Sequence, residues 1–268
     1  MKLTVLVDNN TYIDNYFYAE PAVSYYIEDE GKRILFDAGY SDIFIKNALA
    51  FRINLKDITD IVVSHGHNDH TGGLKHLFEQ FDIPDARIIA HQRAFNEKRI
   101  GEERICSPFS ATQLRKYAKV TLSDKPVKIS SNVYFLGEIP PSNDFEERKP
   151  IGKVLLEDGF ADDLLLDDTA IAYNAGKGTY IVTGCSHSGI CNIIEYSKHV
   201  CGDDRILGVI GGFHLFDVGR QLEKTIEYFL KNGIREVYPC HCVSFKVKAE
   251  MHKYIPVNEV GVSMELDW

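Results

Sequence analysis

Three imidazoles and a carboxylate fall within six residues in His65-Gly66-His67-Asn68-Asp69-His70. Side chains at i and i+2 of an extended chain project to one side, so His65 and His67 are placed to close on one cation. A turn at Asn68 sends Asp69 and His70 elsewhere, and four donors crowded in this way serve two ions better than one. Two divalent cations roughly 3.5–4 Å apart, sharing a bridging hydroxide, are the chemistry that such crowding suggests. A solvated loop is the bland alternative. Density argues against it: three of the ten histidines fall here, beside Gly72 and Gly73, which allow close backbone approach.

One loop does not supply enough donors for two ions. His187 in Gly184-Cys185-Ser186-His187-Ser188-Gly189 and His241 in Pro239-Cys240-His241-Cys242 both follow apolar segments, as does His214 in Gly211-Gly212-Phe213-His214-Leu215. A lone histidine after a strand is as often a hydrogen-bonded structural residue as a ligand. The flanking glycines and the need for further donors favour His187 and His241 as ligands, and leave His214 balanced between a ligand and a catalytic residue. In an extended segment, Cys240 and Cys242 point away from the His241 imidazole, which argues against a Cys-His-Cys cluster on one metal.

The elements that must position these groups are legible from periodicity. Leu3–Val7 reads as a strand, Ala22–Glu28 and Arg33–Phe36 as a hairpin turned at Asp29-Glu30-Gly31, and Ser41 as the N-cap of a helix reaching Phe51. Ile61–Val63 is a short strand running into the His cluster, with a helix from about Gly73. Arg87–Ala90 is a strand, and Gln92 to Lys119 reads as irregular helix broken at Ser107-Pro108. Residues 140–150 are the best candidate for a mobile loop or insert, with a passive connector slightly favoured. The second half repeats the scheme: a hairpin of Thr169–Tyr173 and Thr179–Thr183, a helix near Ile190–Val200, a strand Ile206–Ile210, a helix Gln221–Leu230 and a strand at Val237. Two β-rich halves, each delivering histidines at strand ends, predict two sheets packed face to face with helices outside.

A formal charge of −9 over 268 residues excludes a surface built to coat nucleic acid. The 44% hydrophobic residues leave ample core for a single domain over 1–268. Met1–Val7 is too short for a signal segment, and no apolar run is long enough to cross a bilayer, so a cytoplasmic protein is expected. In that compartment the six cysteines are expected as reduced thiols. The expected partner is a small molecule, with no nucleic acid and no membrane; a homodimer is left open.

The run Val63-Ser64-His65-Gly66-His67-Asn68-Asp69-His70-Thr71-Gly72-Gly73 resembles the signature of the metallo-β-lactamase superfamily, and Leu35-Phe36-Asp37-Ala38-Gly39 is similar to its earlier Asp-bearing motif. Thr183–Ile190, Gly211–Leu215 and Pro239–Cys242 further resemble its branch of metal-dependent hydrolases and dihydropterin-ribofuranosylaminobenzene-phosphate synthases. The resemblance spans Leu3 to about His241. It implies an α/β fold, a four-layer αβ/βα sandwich of two mixed β-sheets with helices on the outer faces. It also implies a first metal on His65, His67 and His187, and a second on Asp69, His70 and His241. The bridging acid of many members has no counterpart in Thr183–His187, which leaves Cys185 or water as the bridge. Asp37 is read as pinning the His-bearing loop, and Glu138 as orienting a ligand imidazole or lying on the surface. Zinc is the expected metal, with iron and manganese as alternatives. The implied activity is hydrolysis of a small phosphoester, lactone or thioester by a metal-bound hydroxide. Asp69 would fix the nucleophile, and His214 would protonate or hydrogen-bond the leaving group. Two alternatives stand beside it: a dihydropterin transferase and a non-catalytic metal-binding module.

Overall fold

Alternation along the strands decides the architecture. In the strand Lys32–Phe36, Ile34 and Phe36 enter one buried cluster and Leu35 another. In Thr179–Thr183, Tyr180 and Val182 join the cluster of Ile34 and Phe36, while Ile181 joins a third. Successive side chains of a strand point to opposite faces, so each of these strands is buried on both sides. The shared cluster is therefore the layer between two sheets, and the other two lie under helices. A four-layer αβ/βα sandwich is the result, described for residues 1–268 by a computed structural model.

The first sheet has seven strands in the order Glu265–Asp267, Lys2–Val7, Ser24–Asp29, Lys32–Phe36, Asp60–Val62, Arg87–Ala90 and Lys119–Leu122. It is antiparallel as far as Lys32–Phe36 and parallel beyond. The second has six, in the order Glu236–Pro239, Ile206–Gly211, Thr179–Thr183, Ala170–Asn174, Val133–Phe135 and Val127–Lys128, with its parallel strands at the Glu236 end. Phe44, Ala48, Leu74 and Leu77 of the helices Ile43–Ala50 and Leu74–Gln80 cover the first sheet. Ile190, Ile193, Leu222 and Phe229 of Ile190–Cys201 and Arg220–Lys231 cover the second. No helix is long and apolar enough to cross a membrane. All six cysteines are free.

Several local expectations are corrected. The residue at the N-cap of Ile43–Ala50 is Asp42; Ser41, one position earlier, accepts the Ile43 N–H and donates to Glu20. The helical reading of 92–119 fails outside Ala111–Leu114. Lys98–Ile100 and Glu103–Arg104 are instead strands, and they join Lys153–Leu156 and Gly159–Asp162 in a third, four-stranded sheet. Short strands at a sheet edge carry too few residues for a period to show. Residues 140–150 are irregular but tied down. Buried Glu146 accepts the N–H groups of Cys191 and Asn192 at the start of the helix Ile190–Cys201, and Arg148 donates to the carbonyls of Ile139 and Leu165.

Candidate metal centre

The parallel strands of both sheets end at the same edge of the sandwich, and the loops that leave them meet there. Gly66 and Gly184 are required by that meeting. A Cβ on Gly66 would lie 1.9 Å from the Ala94 carbonyl oxygen, and one on Gly184 would lie 2.2 Å from Ser64 Oγ. Backbone strain also concentrates here. Asp37, Ser186, His214 and His241 all have φ between 49° and 56°, a region non-glycine residues enter at a cost and keep mainly at functional positions.

The ring of His65 lies 4.7 Å from that of His67, 4.2 Å from that of His70 and 4.8 Å from that of His187. His241 lies 5.1 Å from His70, and His214 lies 4.4 Å from His187 on the outer side. The donor atoms of Asp69, His70, Cys185 and His241 all fall within 4.8 Å of one another, as do those of His65, Cys185 and His187. Cys185 is the member common to both sets. The fold thus brings the six expected ligands and Cys185 to one place, from segments up to 176 residues apart in sequence.

Hydrogen bonds orient the rings. Asp37 accepts from Ser64 N (2.7 Å), Ser64 Oγ (2.6 Å) and His70 Nδ1 (2.7 Å), which fixes the His-bearing loop and leaves His70 Nε2 facing Asp69 at 3.5 Å. His241 Nδ1 is 3.1 Å from Asn9 Oδ1, an acceptor, so Nδ1 carries the proton and Nε2 faces Asp69 at 3.3 Å. Asp8 accepts the His241 N–H. The Nε2 atoms of His65, His67 and His187 are buried and have no hydrogen-bond partner. Buried polar atoms are nearly always paired, so three orphaned imidazole nitrogens in one cluster mark where cations fit.

Burial, with the neighbouring imidazoles adding to it, holds His65 and His187 well below the usual imidazole range; burial, opposed by Asp69 and aided by Lys98, brings His67 down to about 4. Burial also opposes charge on His70, but Asp69 and Asp37 outweigh it and raise that group to about 9. For Asp69, His70 and His241 outweigh burial and keep the carboxyl ionised. Without metal these shifts predict a bell. His67, His65 and His187 favour the neutral form, so their contribution is present above the ordinary value of about 6.5 and is lost as pH falls through the folded values. The His70 contribution is complete below about 6.5 and is lost as pH rises toward about 9. In chelator, the thermal midpoint is expected to peak near neutrality; a midpoint that rises steadily from acid to alkaline pH would contradict this.

Glu138, expected either to orient a ligand imidazole or to lie on the surface, has a side chain 43% exposed. It lies 3.3 Å from Nε2 of buried His91, which is none of the six expected ligands, because the loop bearing it packs over the end of the strand Arg87–Ala90. The thiols of Cys240 and Cys242 diverge, Cys240 toward Tyr25 Oη at 3.2 Å and Cys242 toward the Cys185 carbonyl at 3.6 Å. Sequence reasoning passed over Asp8, Asn9, Lys98, Asp163, Asp167 and Asp168. Two adjacent carboxylates at the mouth of an apolar strand were a readable signal for the last pair; nothing local marked Lys98.

A cavity of about 420 Å³ opens beside His187 and His214. Glu147, Lys149 and Ile151 line one side, alternating with the anchored Glu146 and Arg148, and Phe216 and Arg220 line another.

Residues 18–200 match the Metallo-beta-lactamase superfamily. An uncharacterized protein of Methanocaldococcus jannaschii is 34% identical over 255 residues, covering 93% of each chain. The 7,8-dihydropterin-6-methyl-4-(beta-D-ribofuranosyl)-aminobenzene-5'-phosphate synthase of the same organism is 32% identical over 265 residues, covering 92% of this chain and 89% of its own. The crystal structure of Tm1679, a metal-dependent hydrolase of the beta-lactamase superfamily, superposes with a TM-score of 0.84 at 28% identity, covering 100% of this chain and 99% of its own. With the His-Asp cluster at the shared edge of two sheets and these matches across nearly the whole length, the chain belongs to the metallo-beta-lactamase superfamily.

Proposed function

We propose that the protein is a dinuclear metal-dependent hydrolase of a small phosphorylated substrate. The observation that carries this reading is the set of orphaned Nε2 atoms on His65, His67 and His187, the last of which also lines a cavity that holds Lys149 and Arg220 beside Glu147 and Asp217. His65, His67 and His187 would hold one cation, and Asp69, His70 and His241 the other, with the Cys185 thiol reaching both sets. A soft thiolate among imidazoles suits zinc. When bound, the two cations acidify water and polarise a phosphoryl or carbonyl oxygen.

The chain's own residues do the rest. Asp69 presents a carboxylate that stays ionised and accepts a hydrogen bond from the attacking water, which sets its direction. His214 is held below the usual imidazole range by burial, with His241 adding, so at neutral pH it is uncharged. It therefore hydrogen-bonds the leaving group instead of delivering a full proton. Glu147, Lys149, Asp217 and Arg220 line the cavity; with Arg220 paired to Asp144 at 3.1 Å, Lys149 is the cation that would take an anionic group of the substrate.

Zinc-loaded protein is to be assayed on phosphomonoester, phosphodiester, lactone and thioester panels. Turnover of a phosphoester is expected, with Lys149→Ala raising KM about tenfold at nearly constant kcat. No hydrolysis on any panel would refute the reading. The 32% identical synthase favours a second reading, transfer of a pterin methylene to an aryl phosphate. A condensed product from a dihydropterin pyrophosphate and the aryl acceptor would establish that instead.

A further inference from the structure

Two consecutive buried carboxylates stand between the two ligand-bearing turns. Asp167 Oδ2 accepts the N–H of Gly66, the residue between His65 and His67, at 2.8 Å. Asp168 Oδ2 accepts the N–H of Ser188, next to His187, at 2.9 Å, and also the Ser188 hydroxyl. The next residue, Thr169, donates its N–H to the Ser64 carbonyl at 2.9 Å. Three adjacent residues at the entrance to the strand Ala170–Asn174 thus grip the turn that leaves the first sheet and the turn that leaves the second.

The counter-ion comes from the third sheet. Lys98 Nζ lies 2.8 Å from Asp167 and 2.7 Å from Asp163, and its side chain is fully buried. Lys98 is the first residue of a strand in that sheet, so the sheet absent from the sequence reading reaches the metal centre through one ion pair. Asp168 differs from Asp167. Its Oδ1 is buried with no hydrogen-bond partner. A half-satisfied buried carboxyl group costs stability, and a group retained at such a cost points to function.

We propose that Asp167 and Asp168 are positioning residues for the first cation: they tie the His65-Gly66-His67 turn to the Ser186-His187-Ser188 turn and set the separation of the three imidazoles. This rests on reading His65, His67 and His187 as ligands. Asp167 accepts the Gly66 N–H through Oδ2 and pairs with buried Lys98 through Oδ1; an amide keeps the first contact and loses the second, while a methyl group loses both.

The test uses the full chain as native protein and as Asp167→Ala, Asp167→Asn and Asp168→Ala. Zinc affinity is read by competition with a chelator, bound metal by elemental analysis, and the thermal midpoint in the metal-free state. Loss of a residue that supports a metal ligand typically weakens affinity about 10–100-fold, and that loss is expected for both alanine variants, with a smaller loss in Asp167→Asn, which keeps the Gly66 acceptor. The metal-free midpoint of Asp168→Ala is expected to fall, because the buried Ser188 N–H and hydroxyl lose their acceptor. Zinc affinities of the alanine variants within about twofold of native, or an equal loss in Asp167→Asn and Asp167→Ala, would overturn the inference. If one alanine variant does not fold, the other decides. Native protein that binds no zinc would refute the ligand reading itself.

Discussion

Asp69→Asn is expected to lower kcat by about 10²–10⁴-fold. The carboxylate lies 3.5 Å from His70 Nε2 and 3.3 Å from His241 Nε2, and on the proposed reading it would serve both the second cation and the water that attacks. The amide is isosteric and leaves the helical turn Asn68–Thr71 intact, so folding should be unchanged. Steady-state turnover of the best panel phosphoester, alongside elemental analysis, separates the two roles. A variant that keeps two ions and loses turnover assigns Asp69 to the nucleophile; one that loses an ion assigns it mainly to binding. Turnover within threefold of native would remove Asp69 from the mechanism.

The second large effect is at Cys185. Its Sγ lies 3.2 Å from His70 Nε2, and it is the one residue shared by the two sets of candidate donors. Burial raises this thiol well above its ordinary value, so without a cation it remains protonated, and cation binding must displace the proton. Cys185→Ser is therefore expected to bring bound metal from two ions toward one and to weaken the remaining affinity by more than the roughly 10–100-fold seen when only a supporting residue is lost. In cobalt-substituted protein the sulfur-to-cobalt charge-transfer absorption should vanish with it. An unchanged stoichiometry and an unchanged near-ultraviolet spectrum would show that water, and not this thiol, joins the two halves of the site.

Local information determined a good deal. The cluster His65-x-His67-x-Asp69-His70 was legible as a candidate metal-ligand set because donor spacing along six residues is set by backbone geometry alone. The strands Lys2–Val7, Lys32–Phe36 and Thr179–Thr183 follow from their apolar runs, and the order of strands and helices was enough to predict two sheets with helices outside. The motif at Leu35–Gly39 likewise located Asp37 beneath the His-bearing loop, where three donors now converge on it.

What only the tertiary structure decided is everything that depends on contacts between distant segments. His187 and His241 reach the cluster because parallel strands of the second sheet end where those of the first do, and strand order is not a local property. Glu138 faces His91 and not a ligand because the packing of its loop, not its motif, chooses its neighbour. The third sheet, made of strands two to four residues long, has no period to read, and its one contribution to the site is a buried lysine that looks like any other surface charge in the sequence. Asp167 and Asp168 have meaning only once two loops more than 120 residues apart lie on either side of them. Donor chemistry is written in residue types and short spacings; the separation of donors, and hence whether cations fit, is set by long-range packing.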